Sequence, residues 1–201
     1  MNYEQLLAEG DPNATWEAPD DEWDTLSLCY TSGTTADPKG VLLHHRGAYL
    51  KSVHLIVKWP LHRHCVYLWT VPIFHLNGWF FPYAVAAVAG VNVCLRKVVA
   101  NDIFQAVKEH RVTHICGAPI VMSTMPLGAP CPWCQALRLQ YSGPKTWDQS
   151  LKFMTSAAAP PAPVLARMAD YGIEVSHVYG LTEAYGTGAG PRSLPDAAIQ
   201  A

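Results

Sequence analysis

Apolar residues follow two different spacings along the chain. Thr25–Tyr30 (TLSLCY) is an apolar run of strand length, and Val66–Val71 (VYLWTV) adds β-branched and aromatic residues before Pro72 closes it. Val112–Cys116, Leu151–Thr155 and Ile173–Tyr179 repeat that character. Between them the spacing turns helical. Leu50, Val53, Ile56 and Val57 recur within His45–Val57, and Ile103, Phe104 and Val107 share a face of a stretch that Asn101 caps and that runs through His110. Pro160–Tyr171 reads as another helix, with prolines in its first turn and Gly172 just past its end. Strand, helix and strand joined by short links predict right-handed parallel crossovers, hence an α/β fold of layered parallel sheets with flanking helices.

One stretch tests that reading. Gly78–Leu95 (GWFFPYAVAAVAGVNVCL) runs 18 residues without a charge, long enough to be considered for a membrane span. Pro82, Gly90 and Asn92 interrupt it, so the expectation is a buried helix Trp79–Ala89, a stop at Gly90, and a strand Val91–Leu95 ended by Arg96 and Lys97. Gly117-Ala118-Pro119 turns the chain after its preceding strand, and Gly128–Asp148 lacks periodicity and reads as a loop insertion. The organisation expected is an acidic, exposed lead-in (1–24), a domain (25–186) and a loose tail (187–201).

Composition narrows the class. Of 201 residues 50% are hydrophobic and 15% charged, which excludes an intrinsically disordered chain. The net charge of −2 is unevenly spread: Met1–Asp24 holds eight of the 16 acidic residues and no Lys or Arg, leaving +6 on the remainder. That excess suits a polyanionic small molecule and is too dispersed for nucleic acid. An acidic start also argues against a secretory or transit peptide. Six cysteines fall far below a disulfide scaffold, and Cys29, Cys94 and Cys116 sit in apolar runs as expected of buried thiols in a reducing, intracellular setting.

Two polar motifs follow strands, where ligands bind in α/β sheets. In Thr31–Gly40 the hydroxyls of Thr31, Ser32, Thr34 and Thr35 surround Gly33, with Lys39 beyond them. Such a loop suits phosphate oxygens, hydroxyls and N–H groups donating while Lys39 supplies a point cation. It lacks the Gly-Lys-Ser/Thr of a Walker loop, and composition alone equally allows an ordinary Ser/Thr-rich turn. In Tyr179–Glu183 an aromatic face suits a purine and a lone carboxylate suits Mg²⁺, while Thr182 and Glu183 also fit a helix start. His75 by itself reads as a hydrogen-bonded core histidine. Cys131 and Cys134 form a solitary CxxC without the further ligands that zinc needs.

Taken in order, TSGTTADPKG, PIFHLNGWFFP (Pro72–Pro82) and HVYGLTEAYG (His177–Gly186) resemble the adenylate-forming (AMP-binding) superfamily, in its acyl-CoA ligase, plant-type acyl-activating branch. Ala36 stands where the common form has glycine, as it often does in plant-type members. The resemblance implies that Thr31, Ser32, Gly33, Thr34, Thr35 and Lys39 hold the phosphates. It implies that His75, with Asn77, Gly78 and Trp79, gates an acyl pocket. Adenine falls to Tyr179, Gly180 and the Ala158-Ala159 backbone, the α-phosphate to Thr182 and Mg²⁺ to Glu183, with Lys39, Thr182 and Glu183 catalytic. Ala157 departs from the family's usual glycine, so its methyl either crowds the nucleotide or sits at a φ that alanine disfavours.

Similar proteins turn a carboxylic acid and MgATP into an acyl-adenylate, from which coenzyme A displaces AMP. ATP, Mg²⁺ and coenzyme A are thus the expected cofactors and co-substrates, with an acid as substrate, no nucleic acid and no membrane span. The resemblance covers about Tyr3–Gly186, and relatives are more than twice as long. Their ribose-binding aspartate and the lysine of their C-terminal lid have no counterpart in this sequence. The chain is therefore expected to be part of the large domain and to make acyl-CoA at no useful rate alone. The alternative is a non-catalytic remnant that at most binds nucleotide or a partner chain. Cytoplasm and peroxisome both remain open, and Ile199-Gln200-Ala201 is not a peroxisomal address.

Overall fold

A computed structural model describes residues 2–15, 17–32, 37–125, 149–187 and 192–193. The expected loop Gly128–Asp148, the Cys131/Cys134 pair, Gly33, Thr34 and Thr35, and most of the tail lie outside the described residues.

The lead-in carries a short exposed helix, α1 (Tyr3–Ala8), closed by reciprocal bonds between Asn2 and Gln5. A hairpin of β1 (Thr25–Thr31) and β2 (Lys39–His44) follows, pairing Leu28 with Leu42 and Tyr30 with Gly40. Helix α2 (His45–Lys58) leads to β3 (Val66–Trp69), a turn α3 (Leu76–Trp79), α4 (Phe81–Ala87) and β4 (Val91–Cys94). Next come α5 (Ala100–His110), β5 (His114–Cys116), α6 (Pro119–Thr124), β6 (Leu151–Thr155), α7 (Ala162–Asp170) and β7 (Ile173–His177). Two-residue strands β8 (Gly180–Leu181) and β9 (Gly186–Thr187) pair around Thr182–Tyr185, and β10 is Arg192–Ser193. The main sheet runs β10-β7-β6-β5-β3-β4, with β10 antiparallel at one edge and all other neighbours parallel. This is the α/β layered architecture expected.

Alternation along the strands divides the core in two. Leu68, Ile115, Leu151 and Phe153 point to one face, where Ile103, Phe104 and Val107 of α5, Met122 of α6 and Met168 of α7 cover them. Tyr67, Trp69, Cys116 and Met154 point to the other, against Leu43, Leu55, Trp59, Phe80, Phe81 and Val85.

Several expectations need correction. β1 is not part of the parallel sheet: only seven residues separate it from β2, too few for a crossover, so it closes as a hairpin. Helix Trp79–Ala89 is broken, because Pro82 sits in the first turn of a new helix and Phe80 before it is left-handed (φ 62°). Its stop is Ala89 (φ 50°), whereas Gly90 is needed for space: a Cβ there falls 2.9 Å from the Cys65 carbonyl oxygen. Asn101 does not cap α5; Val99 takes that place with no side-chain bond. Gly117-Ala118-Pro119 leads directly into α6. Cys29, Cys65 and Cys116 are buried, but Cys94 is exposed because β4 is an edge strand. No helix among the described residues is long and apolar enough to cross a membrane.

Candidate active site

Beyond the carboxyl ends of the parallel strands lies a cavity of about 660 Å³. The hairpin contributes Thr31 and Ser32 from the end of β1 and Lys39 from the start of β2. From the segment after β3 come Thr70, His75 and Trp79; after β6, Ser156 and Ala157; after β7, Gly180, Thr182 and Glu183. The end of β1 and the start of β2 thus reach the cavity from outside the main sheet. Ile120, Val121 and Val98 add an apolar wall. Polar groups converging on an apolar hollow at this end of the strands are the usual form of a ligand site in such sheets.

The elements behind these residues fix their aim. Thr70 is buried, its hydroxyl donating to the Cys116 carbonyl, which ties the ends of β3 and β5. His75 precedes five consecutive positive-φ residues, Leu76 to Phe80, a backbone that only tight surroundings hold. Asn77 supplies part of that hold: its amide nitrogen donates to Ser27 Oγ, and its oxygen accepts from Cys29 Sγ at 3.7 Å. Gly78 is buried against Trp69. Both Asn77 and Gly78 therefore stand behind the wall, while His75 and Trp79 form it.

Ala157 adopts φ 73°, so of the two outcomes open to its methyl the strained backbone is realised. His177 Nε2 donates to the Ala157 carbonyl at 3.3 Å, tying this loop to β7. Ala158 and Ala159 follow as exposed residues, not in the cavity wall. Tyr179 is 66% exposed and likewise not in the wall. Thr182 is half-buried and Glu183 exposed, both on a single 3-10 turn.

Electrostatics set one residue apart. Lys51 of α2 is only 7% exposed, and burial pulls its amine down to about 8. The same helix carries His54, lowered by burial and then by the nearby Lys51 and Lys58 charges. Among the described residues no group of three or more His, Cys, Asp or Glu could cage a metal by itself. A single carboxylate such as Glu183 fits a cation only when ligand phosphates complete its shell, which is the habit of Mg²⁺.

The sequence profile of the AMP-binding enzyme family matches residues 2–199. The chain belongs to that family. An acetate–CoA ligase of Humulus lupulus is 45% identical over 186 residues, spanning 92% of this chain and 31% of that protein. A peroxisomal acetate/butyrate–CoA ligase of Arabidopsis thaliana is 43% identical with the same coverage. The chain thus spans about a third of the length of these curated relatives. Among solved structures, the N-terminal domain of FACL13 from Mycobacterium tuberculosis superimposes with a TM-score of 0.77 at 24% identity, covering 98% of this chain and 46% of that one. An O-succinylbenzoate coenzyme A synthetase from Bacillus subtilis, solved with ATP and magnesium ion, gives 0.76 at 21%, covering 98% and 38%. These two likenesses concern the fold of this AMP-binding family member, and the match to plant acyl-activating ligases is carried by sequence.

Sequence reasoning named nine of the residues lining the cavity: Thr31, Ser32, Lys39, His75, Trp79, Ala157, Gly180, Thr182 and Glu183. It missed Thr70, whose only signal was a hydroxyl ending a buried strand. Tyr185 and its partners were missed as well, since contacts between remote segments leave no periodic trace.

Proposed function

We propose that the cavity binds MgATP and a carboxylic acid, and that the chain carries the acid-activating site of an acyl-CoA ligase. One observation supports this above all: the hydroxyl-and-lysine hairpin, the His75–Trp79 segment and the Thr182–Glu183 turn, remote in sequence, line one cavity. The curated relatives are named as CoA ligases, and the chemistry of the wall agrees.

In this reading a carboxylate oxygen attacks the α-phosphorus, forming a P–O bond as the bond to pyrophosphate breaks. The coenzyme A thiol then loses its proton, attacks the acyl carbon, and AMP departs with the C–O electron pair. Lys39 and the hydroxyls of Thr31 and Ser32 stabilise charge growing on the pyrophosphate, the sequence continuing with Gly33, Thr34 and Thr35. Thr182 donates to the α-phosphate. Glu183 holds Mg²⁺, which supplies positive charge to the phosphate oxygens. Tyr179 and the backbone of Gly180, Ala158 and Ala159 receive adenine. His75 and Trp79 meet the acyl end, with Asn77 and Gly78 bracing them. The site of action is intracellular, cytoplasmic or peroxisomal, two of the relatives being named as peroxisomal.

Calorimetry of the purified chain with MgATP tests the reading. A dissociation constant in the millimolar range, near −4 kcal/mol, is expected. Lys39→Ala should weaken it at least tenfold, about 1.4 kcal/mol. An unchanged constant in that variant overturns the assignment.

A further inference from the structure

The β8–β9 hairpin that carries Thr182 and Glu183 has two residues in each strand, far too little to hold itself. Leu181, Glu183 and Ala184 are exposed, so the turn takes little support from them. Tyr185 is different. It is half-buried and left-handed (φ 55°), a strained conformation that surrounding contacts must maintain.

Those contacts reach the end of β2, the start of α2 and the residue that follows the His75–Trp79 segment. The Tyr185 hydroxyl accepts from the His44 backbone N–H at 2.8 Å, at the end of the strand that begins with Lys39. Its ring lies 5.2 Å from the His44 ring and stacks at 5.6 Å and 25° on Phe80, which follows the His75–Trp79 segment. Beneath it is Gly47, in the first turn of α2, where any Cβ would overlap the ring. His44 is itself fixed: its Nδ1 accepts from the Gly47 N–H at 2.9 Å and its ring packs on Trp23 at 4.7 Å. One side chain therefore touches the phosphate hairpin and the acyl segment from the turn that bears the Thr-Glu pair.

We propose that Tyr185 is a positioning residue that keeps the Thr182–Glu183 turn in register with the β1–β2 hairpin and the His75–Phe80 segment, and so sets the affinity for MgATP. This rests on the functional reading above. Tyr185 touches none of the reacting atoms and acts through the elements it joins.

Two variants test it. Tyr185→Phe removes the hydroxyl and leaves the ring, and Gly47→Ala leaves Tyr185 and displaces its ring. Both are compared with the unmodified chain by calorimetry with MgATP and by amide hydrogen exchange without ligand. For Tyr185→Phe the expected result is a three- to tenfold weaker dissociation constant at unchanged binding stoichiometry. Exchange at the His44 amide and across residues 180–186 should be at least tenfold faster. Gly47→Ala should give larger changes in the same direction; if it fails to fold, Tyr185→Phe decides alone. A lower stoichiometry at unchanged affinity means only that fewer molecules fold, and overturns the positioning role. Unchanged exchange at His44 overturns it too. Failure of the unmodified chain to bind MgATP overturns the functional reading and the nucleotide part of this proposal. The exchange rates then judge the holding role separately.

Discussion

On one face of the sheet α5, α6 and α7 turn their apolar residues inward, Ile103, Phe104, Val107, Met122 and Met168 among them. On the other, α2 buries Lys51 and Ser52 and leaves Tyr49, Leu50, Val53 and Val57 exposed. Strain is divided in the same way. The five consecutive positive-φ residues Leu76–Phe80 belong to the second face, and α5 by contrast ends on one left-handed residue, Arg111. The first face is a support with ordinary helices. The second gives up regular packing where the hairpin, the His75–Phe80 segment and the Thr-Glu turn meet at one cavity. The left-handed run is a backbone cost that the surrounding packing must hold.

The widest test of that division truncates the support. Ile103 is fully buried on α5, and Ile103→Ala leaves a cavity that costs about 2–5 kcal/mol. Urea unfolding should show this loss, while the molecules that remain folded bind MgATP with an unchanged constant. A change in affinity would mean that α5, which lines none of the cavity, also shapes the site, and the division would fail.

The second face should also respond to acid. His114 of β5 is buried against Trp59, with Nδ1 2.8 Å from Thr113 Oγ1 and Nε2 donating to the Pro60 carbonyl at 3.1 Å. Burial pulls it down to about 4, the Lys152 and His62 charges adding to this and the Pro60 bond opposing it. The folded chain thus favours the neutral ring, while the unfolded chain protonates near 6.5. The stability it contributes is fully present above about pH 6.5 and is lost as pH falls toward 4, up to about 3 kcal/mol. Thermal unfolding across that range should show the loss, and His114→Asn should flatten the curve by that amount. Parallel curves would remove His114 as the cause.

What could be read in the sequence follows the same line. The spacing of Ile103, Phe104 and Val107 gave α5 its buried face, because a helix packed on one side keeps a helical period. The identical argument on α2 pointed to Leu50, Val53 and Val57, three residues that the structure exposes. Nothing in a local period says which side of a helix meets the rest of the fold. β2 escaped notice because KGVLLH carries no alternation, and the break at Phe80 because Pro82 fits a helix interior as poorly as it fits a helix start well. The lining of the cavity was the more legible part. Lys39, Thr182 and Glu183 stand out by residue type and all three line the cavity, whereas Tyr185 touches a backbone N–H and a ring far away in sequence.

The smallest effect concerns Ala157, where strain enters the cavity wall itself. Its φ of 73° lies in the left-handed region, which costs an L-residue about 1–2 kcal/mol. Glycine adopts that backbone freely but loses about 0.5–1 kcal/mol more conformational entropy on folding. Ala157→Gly should therefore stabilise the chain by about 0.5 kcal/mol, read as a small rise in melting temperature. The His177 bond goes to the carbonyl of residue 157, which the substitution retains, so the loop should keep its place. Removing a methyl from the wall adds room, and affinity for MgATP should stay the same or tighten. A fall in stability would show that the methyl contributes packing worth more than the strain it imposes. The wall after β6 would then belong with the supporting face rather than with the strained one.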